Sequence, residues 1–299
     1  MTQRRVVLFG GSGFVGRLLA PCLAEHGWTV CVASRQPDRS TPCADRRLEA
    51  IVADLRNEDQ VRAAVADVET VVNLVGIGRK RGQSFEEVHL EGAARIARLA
   101  TAAGVARLLH VSALGIAEDA PSAADRTKAR GEEAVRAAFP SATIVRPRLV
   151  YGPGDHFFTR FAALARVSPV LPVIDGGRTL FQPMHVADAA QTLRLVLERP
   201  ATAGLTLALV GAETFTFREL LEQMLEVLGQ RRAIVSVPLP VAKMLAAAIG
   251  WLPKAPATPN EVRLLRTNKV AGELPTPVAL GIAARPLSEG LPTALGVLR

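Results

Sequence analysis

The sequence predicts an α/β protein: a Rossmann-type doubly wound parallel sheet followed by a smaller, Pro-rich C-terminal lobe. Three observations carry that expectation. Strand-like and helix-like stretches alternate through the first half of the chain. Gly10, Gly13 and Gly16 form a Gly-x-x-Gly-x-x-Gly set directly after the apolar residues 6–9 and before an amphipathic stretch. Beyond Tyr151-Gly152-Pro153-Gly154 prolines become frequent, among them Pro169, Pro172, Pro183, Pro200, Pro238 and Pro240.

Taken in order, residues 6–9 read as the first strand and 14–26 as a helix ended by Gly27. Strands follow at 29–33 and 48–53, then a helix at 58–66 and a strand at 70–75. A long helix over 85–103 closes at Gly104, and 105–111 is the fifth strand. A helix at 124–138 stops before Pro140, and 142–145 is the sixth strand, ended by Arg146-Pro147. Val, Ile and Leu run nearly continuously through these strands, as expected of strands buried on both faces. Residues 186–197 are expected to return as a helix and 206–210 as a strand. The expected division is therefore a dinucleotide-binding domain over 1–150, with a returning segment near 178–212, and a smaller substrate or partner lobe over 151–299.

A content of 49% hydrophobic and 21% charged residues excludes wholesale disorder. No run of about 18 apolar residues is present, which argues against a membrane span. Arg4-Arg5 precede only four apolar residues, so the start reads as a strand and not a signal peptide. A cytoplasmic protein is expected, with Cys22, Cys31 and Cys43 reduced, since they show no metal or redox spacing. His26, His89, His110, His156 and His185 are scattered, so no metal site is expected. The net charge of +8 has one dense run, Arg79-Lys80-Arg81, with no aromatic stripe beside it. Nucleic acid is not an expected partner.

The glycine set points to a nicotinamide nucleotide. Its glycines permit a tight turn, close approach of backbone to pyrophosphate and close helix–strand packing, and the helix N-terminus offers free N–H groups. Ser12, Phe14 and Val15 complete that loop. Ser34-Arg35 ends the second strand, where an acidic residue would hold a free ribose hydroxyl. Arginine suits the extra phosphate of NADP(H), so NADP(H) is expected over NAD(H). Arg39 is a candidate helper. Asp54 and Leu55 are placed to meet adenine, and Asn73, Val75 and Gly76 to pass under the cofactor. Val111, Pro147 and Lys128 complete the candidate cofactor set.

Ser112 and Lys128 lie 16 residues apart, where a short-chain dehydrogenase keeps a substrate-orienting serine and a lysine that binds nicotinamide ribose. The tyrosine expected four residues before the lysine is Ala124, and the single Tyr of the chain is Tyr151. Asp125 is no simple replacement, because one helical step turns its side chain about 100° away.

With these residues in place, the chain resembles the extended and atypical short-chain dehydrogenase/reductases. The resemblance rests on Gly10–Gly16, Asp54-Leu55, Arg146-Pro147, Val150 to Gly154 and Gln182 to Asp188. More narrowly, the chain is similar to the group of the NADPH-holding accessory subunit of respiratory complex I, subunit 9 of its alpha subcomplex. Val72 to Gly76, Phe85 to His89, His110 to Ser112 and Lys128 to Glu132 carry that match. The resemblance covers roughly residues 5 to 270. It implies a tightly held NADPH and a structural, assembly or quinone-linked role, with Ala124 departing from the Tyr-x-x-x-Lys pattern.

The leading expectation is an NADP(H)-binding protein with an incomplete catalytic set. Two alternatives stay open: an active reductase, dehydrogenase or epimerase that draws its proton from water, Tyr151 or His156, and an NADP(H)-sensing regulator. Residues 235–252, edged by Lys243, Trp251 and Lys254, read either as a core helix or as an apolar helix that docks on the inner face of a membrane or on a respiratory or quinone-pathway partner.

Overall fold

The computed structural model describes residues 4–36, 47–78, 82–238, 240–241 and 270–296. They fall into two compact units. The first comprises residues 1–147, 186–209 and 274–276, and the second 148–185, 210–273 and 277–299.

The first unit is built on seven parallel strands: β1 (Arg5–Phe9), β2 (Thr29–Ser34), β3 (Leu48–Val52), β4 (Thr70–Asn73), β5 (Arg107–Val111), β6 (Thr143–Pro147) and, returning, the strand Thr206–Leu209. In space the order is the returning strand, β6, β5, β4, β1, β2, β3. The winding direction thus reverses between β1 and β4, where Val6 pairs with Thr70 and Phe9 with Asn73. In such sheets ligands bind outside the carboxyl ends of the strands at this switch.

Helices cover both faces. Gly16–Glu25 (α1) packs against the returning helix Val186–Glu198. On the opposite face lie α2 (Glu58–Val65), α3 (Gly92–Ala102) and α4 (Ala123–Ala138), which share a core with Val7, Phe9, Cys31, Val71, Leu108 and Ile144. Burying each such aliphatic side chain is worth about 1.5–3 kcal/mol. Local signals set the helix starts. The Asn57 side chain accepts from the Gln60 N–H to cap α2, and the Ser122 side chain accepts from the Asp125 N–H to cap α4.

Several expected bounds shift. The first helix begins at Gly16 and not at residue 14, because Phe14 and Val15 belong to the glycine turn. The expected helix over 85–103 is two elements, a widened π turn at Glu86–Glu91 and then α3. Pro147 belongs to β6 itself. The third strand is not buried on both faces: β3 is the sheet edge, and Glu49, Ala50 and Val52 are exposed.

Among the described residues the second unit has short paired strands and includes the helices Phe158–Val167, Phe217–Val227 and Leu287–Ala294. Its core gathers Tyr151, Phe158, Phe181, Phe217, Leu220 and Met224. Six of the ten phenylalanines of the chain, at 157, 158, 161, 181, 215 and 217, fall in this unit. Strand Ala233–Val237 pairs in parallel with Val170–Ile174. A helix therefore cannot start at Val235, and of the expected apolar helix 235–252 the residues 239 and 242–252 lie outside the described residues. Among the described residues no helix is long and apolar enough to cross a membrane.

The π turn is held against α4 at Gly131, where an added Cβ would overlap the carbonyl oxygen of His89. An exposed helical Gly→Ala change gains about 1 kcal/mol, but overpacking against fixed backbone costs about 1–3 kcal/mol. Gly131→Ala should therefore lower the stability measured by urea unfolding. Unchanged or increased stability would show that the two elements are free to separate.

Candidate functional site

At the carboxyl ends of β1 to β4, within the first unit, lies a crevice of about 700 Å3. Of the residues singled out from the sequence, Gly10, Ser12, Gly13, Ser34, Arg35, Asp54, Leu55, Val75 and Gly76 line it. Phe9, Gln36, Arg56, Ile77 and Gln83 line it too. Arg56 has a simple sequence signal: it directly follows Asp54-Leu55 after β3.

The glycine loop is shaped by contact. Gly10 has a φ of +77°, and a Cβ there would lie 3.1 Å from the Val75 backbone. A Cβ on Gly16 would overlap the Gly11 backbone, so α1 begins closer to β1 than any other residue permits. No side chain caps α1, and its first turn has no acidic residue. Among the described residues no protein acceptor takes the N–H groups of Ser12, Phe14 or Val15. The N-terminus of α1 thus presents unengaged donors and a partial positive charge. Ser34 adds a hydroxyl, buried and without a hydrogen-bond partner among the described residues. These donors, together with a cradle that a Cβ would fill, fit a dinucleotide pyrophosphate.

Charge gathers at the far end of the crevice. Arg56 grips Asp54 in a bidentate ion pair, Nη2 to Oδ2 at 2.6 Å and Nε to Oδ1 at 3.0 Å. That guanidinium holds the Asp54 carboxyl below the usual carboxylate range, and Arg35 adds to the effect from a distance. Arg35 itself is exposed, with no hydrogen bond to another described residue. Arg39 lies outside the described residues, as do Cys43 and Arg79-Lys80-Arg81.

The remaining predicted cofactor residues do not line this crevice. Phe14 and Val15 are half-buried in the loop, and the Val15 carbonyl accepts from the Leu18 and Leu19 N–H groups. Asn73 is buried: its Oδ1 accepts from the Val75 N–H at 3.0 Å, and its amide nitrogen faces His110 Nδ1 at 3.1 Å. It shapes the strand end and does not touch the crevice. Val111 pairs with Val145 at the end of β5, and the Pro147 carbonyl accepts from the Leu114 N–H.

Ser112 and Lys128 come together. Lys128 Nζ donates to the Ser112 carbonyl at 3.5 Å and reaches the crevice lining at Gly76, where an added Cβ would lie 3.5 Å from it. The Ser112 hydroxyl is buried and has no partner among the described residues. Ala124 is half-buried one turn before Lys128. The other proton donors considered, Tyr151 and His156, belong to the second unit. Tyr151 is buried edge-on to Phe158 and His185, and His156 is exposed.

A buried polar layer behind Lys128 gave no signal in the sequence. His89 Nε2 accepts from the Ile77 N–H at 3.1 Å, which leaves the proton on Nδ1, 3.1 Å from Thr127 Oγ1. Burial, and then the Lys128 ammonium, push both His89 and His110 down to about 4. Among the described residues no group of His, Cys, Asp or Glu could hold a metal ion.

Comparison with known proteins assigns the chain to a family. Residues 6–207 match the model of the NAD dependent epimerase/dehydratase family. The chain belongs to that family. It is 34% identical over 283 residues to NADH dehydrogenase [ubiquinone] 1 alpha subcomplex subunit 9 of Arabidopsis thaliana, a match covering 90% of this chain but 66% of that relative, less than two thirds of its length. It is 31% identical to the ceramide reductase of Caulobacter vibrioides, covering 98% of this chain and 90% of the relative. A UDP-glucuronic acid 4-epimerase from Bacillus cereus, solved with NAD, shares the fold at a TM-score of 0.74 and 16% identity, with 98% of this chain and 96% of that one covered.

The two neutral histidines generate a pH dependence. In an unfolded chain each titrates near 6.5, and in the folded protein near 4. The folded value is the lower one, so protonation favours unfolding. Their contribution is complete above about pH 6.5 and is lost as the pH falls toward 4. Urea midpoints should decline already between pH 6.5 and 5, above the ordinary carboxylate range; a flat profile there would contradict the assignment.

Proposed function

We propose that this protein holds NADP(H) in the β1–β4 crevice and turns it over slowly or not at all, in a structural, assembly or quinone-linked role. The carrying observation is Ala124. Ser112 and Lys128 converge on the edge of the crevice, while the position that would present a phenol carries a methyl group. A bound nicotinamide supplies or accepts a hydride, and a carbonyl that receives one needs a proton as charge develops on its oxygen. Lys128 is directed to the Ser112 carbonyl and the cofactor side of the pocket, and a serine hydroxyl is far too weak an acid. Losing a positioned general acid costs about 10²–10⁴ in rate.

Arg35, the orphaned Ser34 hydroxyl and the absence of an acidic side chain at the end of β2 support NADP(H) over NAD(H). Similarity to complex I subunits supports a place beside respiratory machinery, on the inner face of a membrane. The expected docking segment 235–252 belongs to this reading.

A second reading, an active reductase on a lipid substrate, is favoured by one observation: the match to a ceramide reductase spans nearly the whole of both chains. In that case the proton comes from a source other than position 124, such as water.

Following the 340 nm absorbance of bound NADPH separates the two. The first reading expects it to persist for many minutes with quinones, small carbonyl compounds and ceramide-type lipids, and Ala124→Tyr to leave binding intact while allowing slow oxidation. Rapid, Lys128-dependent oxidation by the wild-type chain would establish the reductase instead.

A further inference from the structure

The ion pair between Asp54 and Arg56 has more to do than tether a turn. Both residues line the crevice, on the strand end next to Arg35. Among the described residues that line the crevice, Asp54 carries the one carboxylate, and the Arg35 charge reaches it from the neighbouring strand end. One guanidinium thus holds the carboxylate directly, and a second lines the crevice from the neighbouring strand end. Arg56 satisfies it from three donors, its own backbone N–H at 2.9 Å, Nε at 3.0 Å and Nη2 at 2.6 Å. A planar guanidinium meets a carboxylate in this two-pronged way, which a lysine could not reproduce.

The arrangement has a consequence for a ribose phosphate. A phosphate monoester carries between one and two negative charges near neutral pH. An uncompensated Asp54 would repel it, and would also draw the exposed Arg35 guanidinium toward itself. With Arg56 in place Asp54 is neutralised locally, and Arg35 has no competing partner among the described residues.

We propose that Arg56 is a specificity-determining residue: it sets the preference for a 2′-phosphorylated dinucleotide by cancelling the Asp54 charge beside Arg35. It is a positioning residue that acts through Asp54 and Arg35. The inference rests on the reading of Arg35 as the phosphate-binding residue.

Fluorescence titrations with NADPH and with NADH, in the wild type, Arg35→Ala, Arg56→Gln and the double variant Asp54→Asn/Arg56→Gln, test it through the ratio of the two affinities. Arg56→Gln should lower NADPH affinity about tenfold, the scale of one charge-assisted contact, and leave NADH affinity within about twofold. The double variant, which has no carboxylate left to cancel, should recover the wild-type ratio even if loss of Asp54 weakens both nucleotides alike. Thermal melts of each variant identify any that fail to fold.

Equal losses for NADPH and NADH in Arg56→Gln would reduce Arg56 to a structural role. A double variant whose ratio stays as low as that of Arg56→Gln would mean direct contact with phosphate and would overturn action through Asp54. The underlying reading fails separately: there the wild type shows no preference for NADPH, or Arg35→Ala retains it.

Discussion

The site depends on how closely α1 can approach the end of β1. Gly16 rests on the Gly11 backbone with no room for a methyl group, and Gly10 turns the chain through a positive φ against Val75. That contact fixes the helix N-terminus over the reversal between β1 and β4, with unengaged amides facing outward. Every other crevice residue is placed by the sheet from this point: Arg35 at the end of β2, Asp54 and Arg56 at the end of β3, and Gly76 beyond β4. A side chain at position 16 would push the amides out of range of anything lying across the strand ends.

Behind the crevice the interior is polar, and it is ordered. Asn73 ties β4 to His110, while His89 joins the Ile77 backbone to Thr127 on α4. The π turn brings His89 inward, and Gly131 lets α4 lie directly on it. Lys128 follows Thr127 on the same helix, so this network sets where its ammonium points. Because both rings are neutral near pH 7, the lysine supplies the positive charge at this end of the crevice. In the proposed reading a lysine anchored there serves a cofactor ribose without help from position 124, which is Ala.

The sheet and the crevice at its edge were legible in the sequence because they follow from short-range signals: apolar strands, a glycine set and N-capping residues such as Asn57 and Ser122. Gly10, Gly13, Ser34, Arg35, Asp54 and Gly76 could be placed because parallel strands deliver their carboxyl ends to one edge. What stayed hidden depends on contacts between distant segments. Nothing local shows that Asn73 turns inward to His110, or that residues 86–91 widen into a π turn against Gly131. The edge position of β3 is set by strand order, which its composition does not reveal. In the second unit the phenylalanines at 157, 161, 181 and 217 meet across segments far apart in sequence, and the strand Ala233–Val237, whose end overlaps the expected helix 235–252, exists only by pairing with the distant Val170–Ile174.

If this crevice is a resident NADP(H) site and not a vestige of one, the nucleotide stays with the protein through isolation. Protein isolated rapidly from cells, denatured, and assayed for released nucleotide by chromatography and mass spectrometry tests it most directly. NADP(H) approaching one per chain and little NAD(H) is expected, with the nucleotide absent when Gly13 is replaced by a bulky residue. Protein that carries no nucleotide and acquires none from millimolar NADPH, or that carries NAD(H) instead, would contradict it.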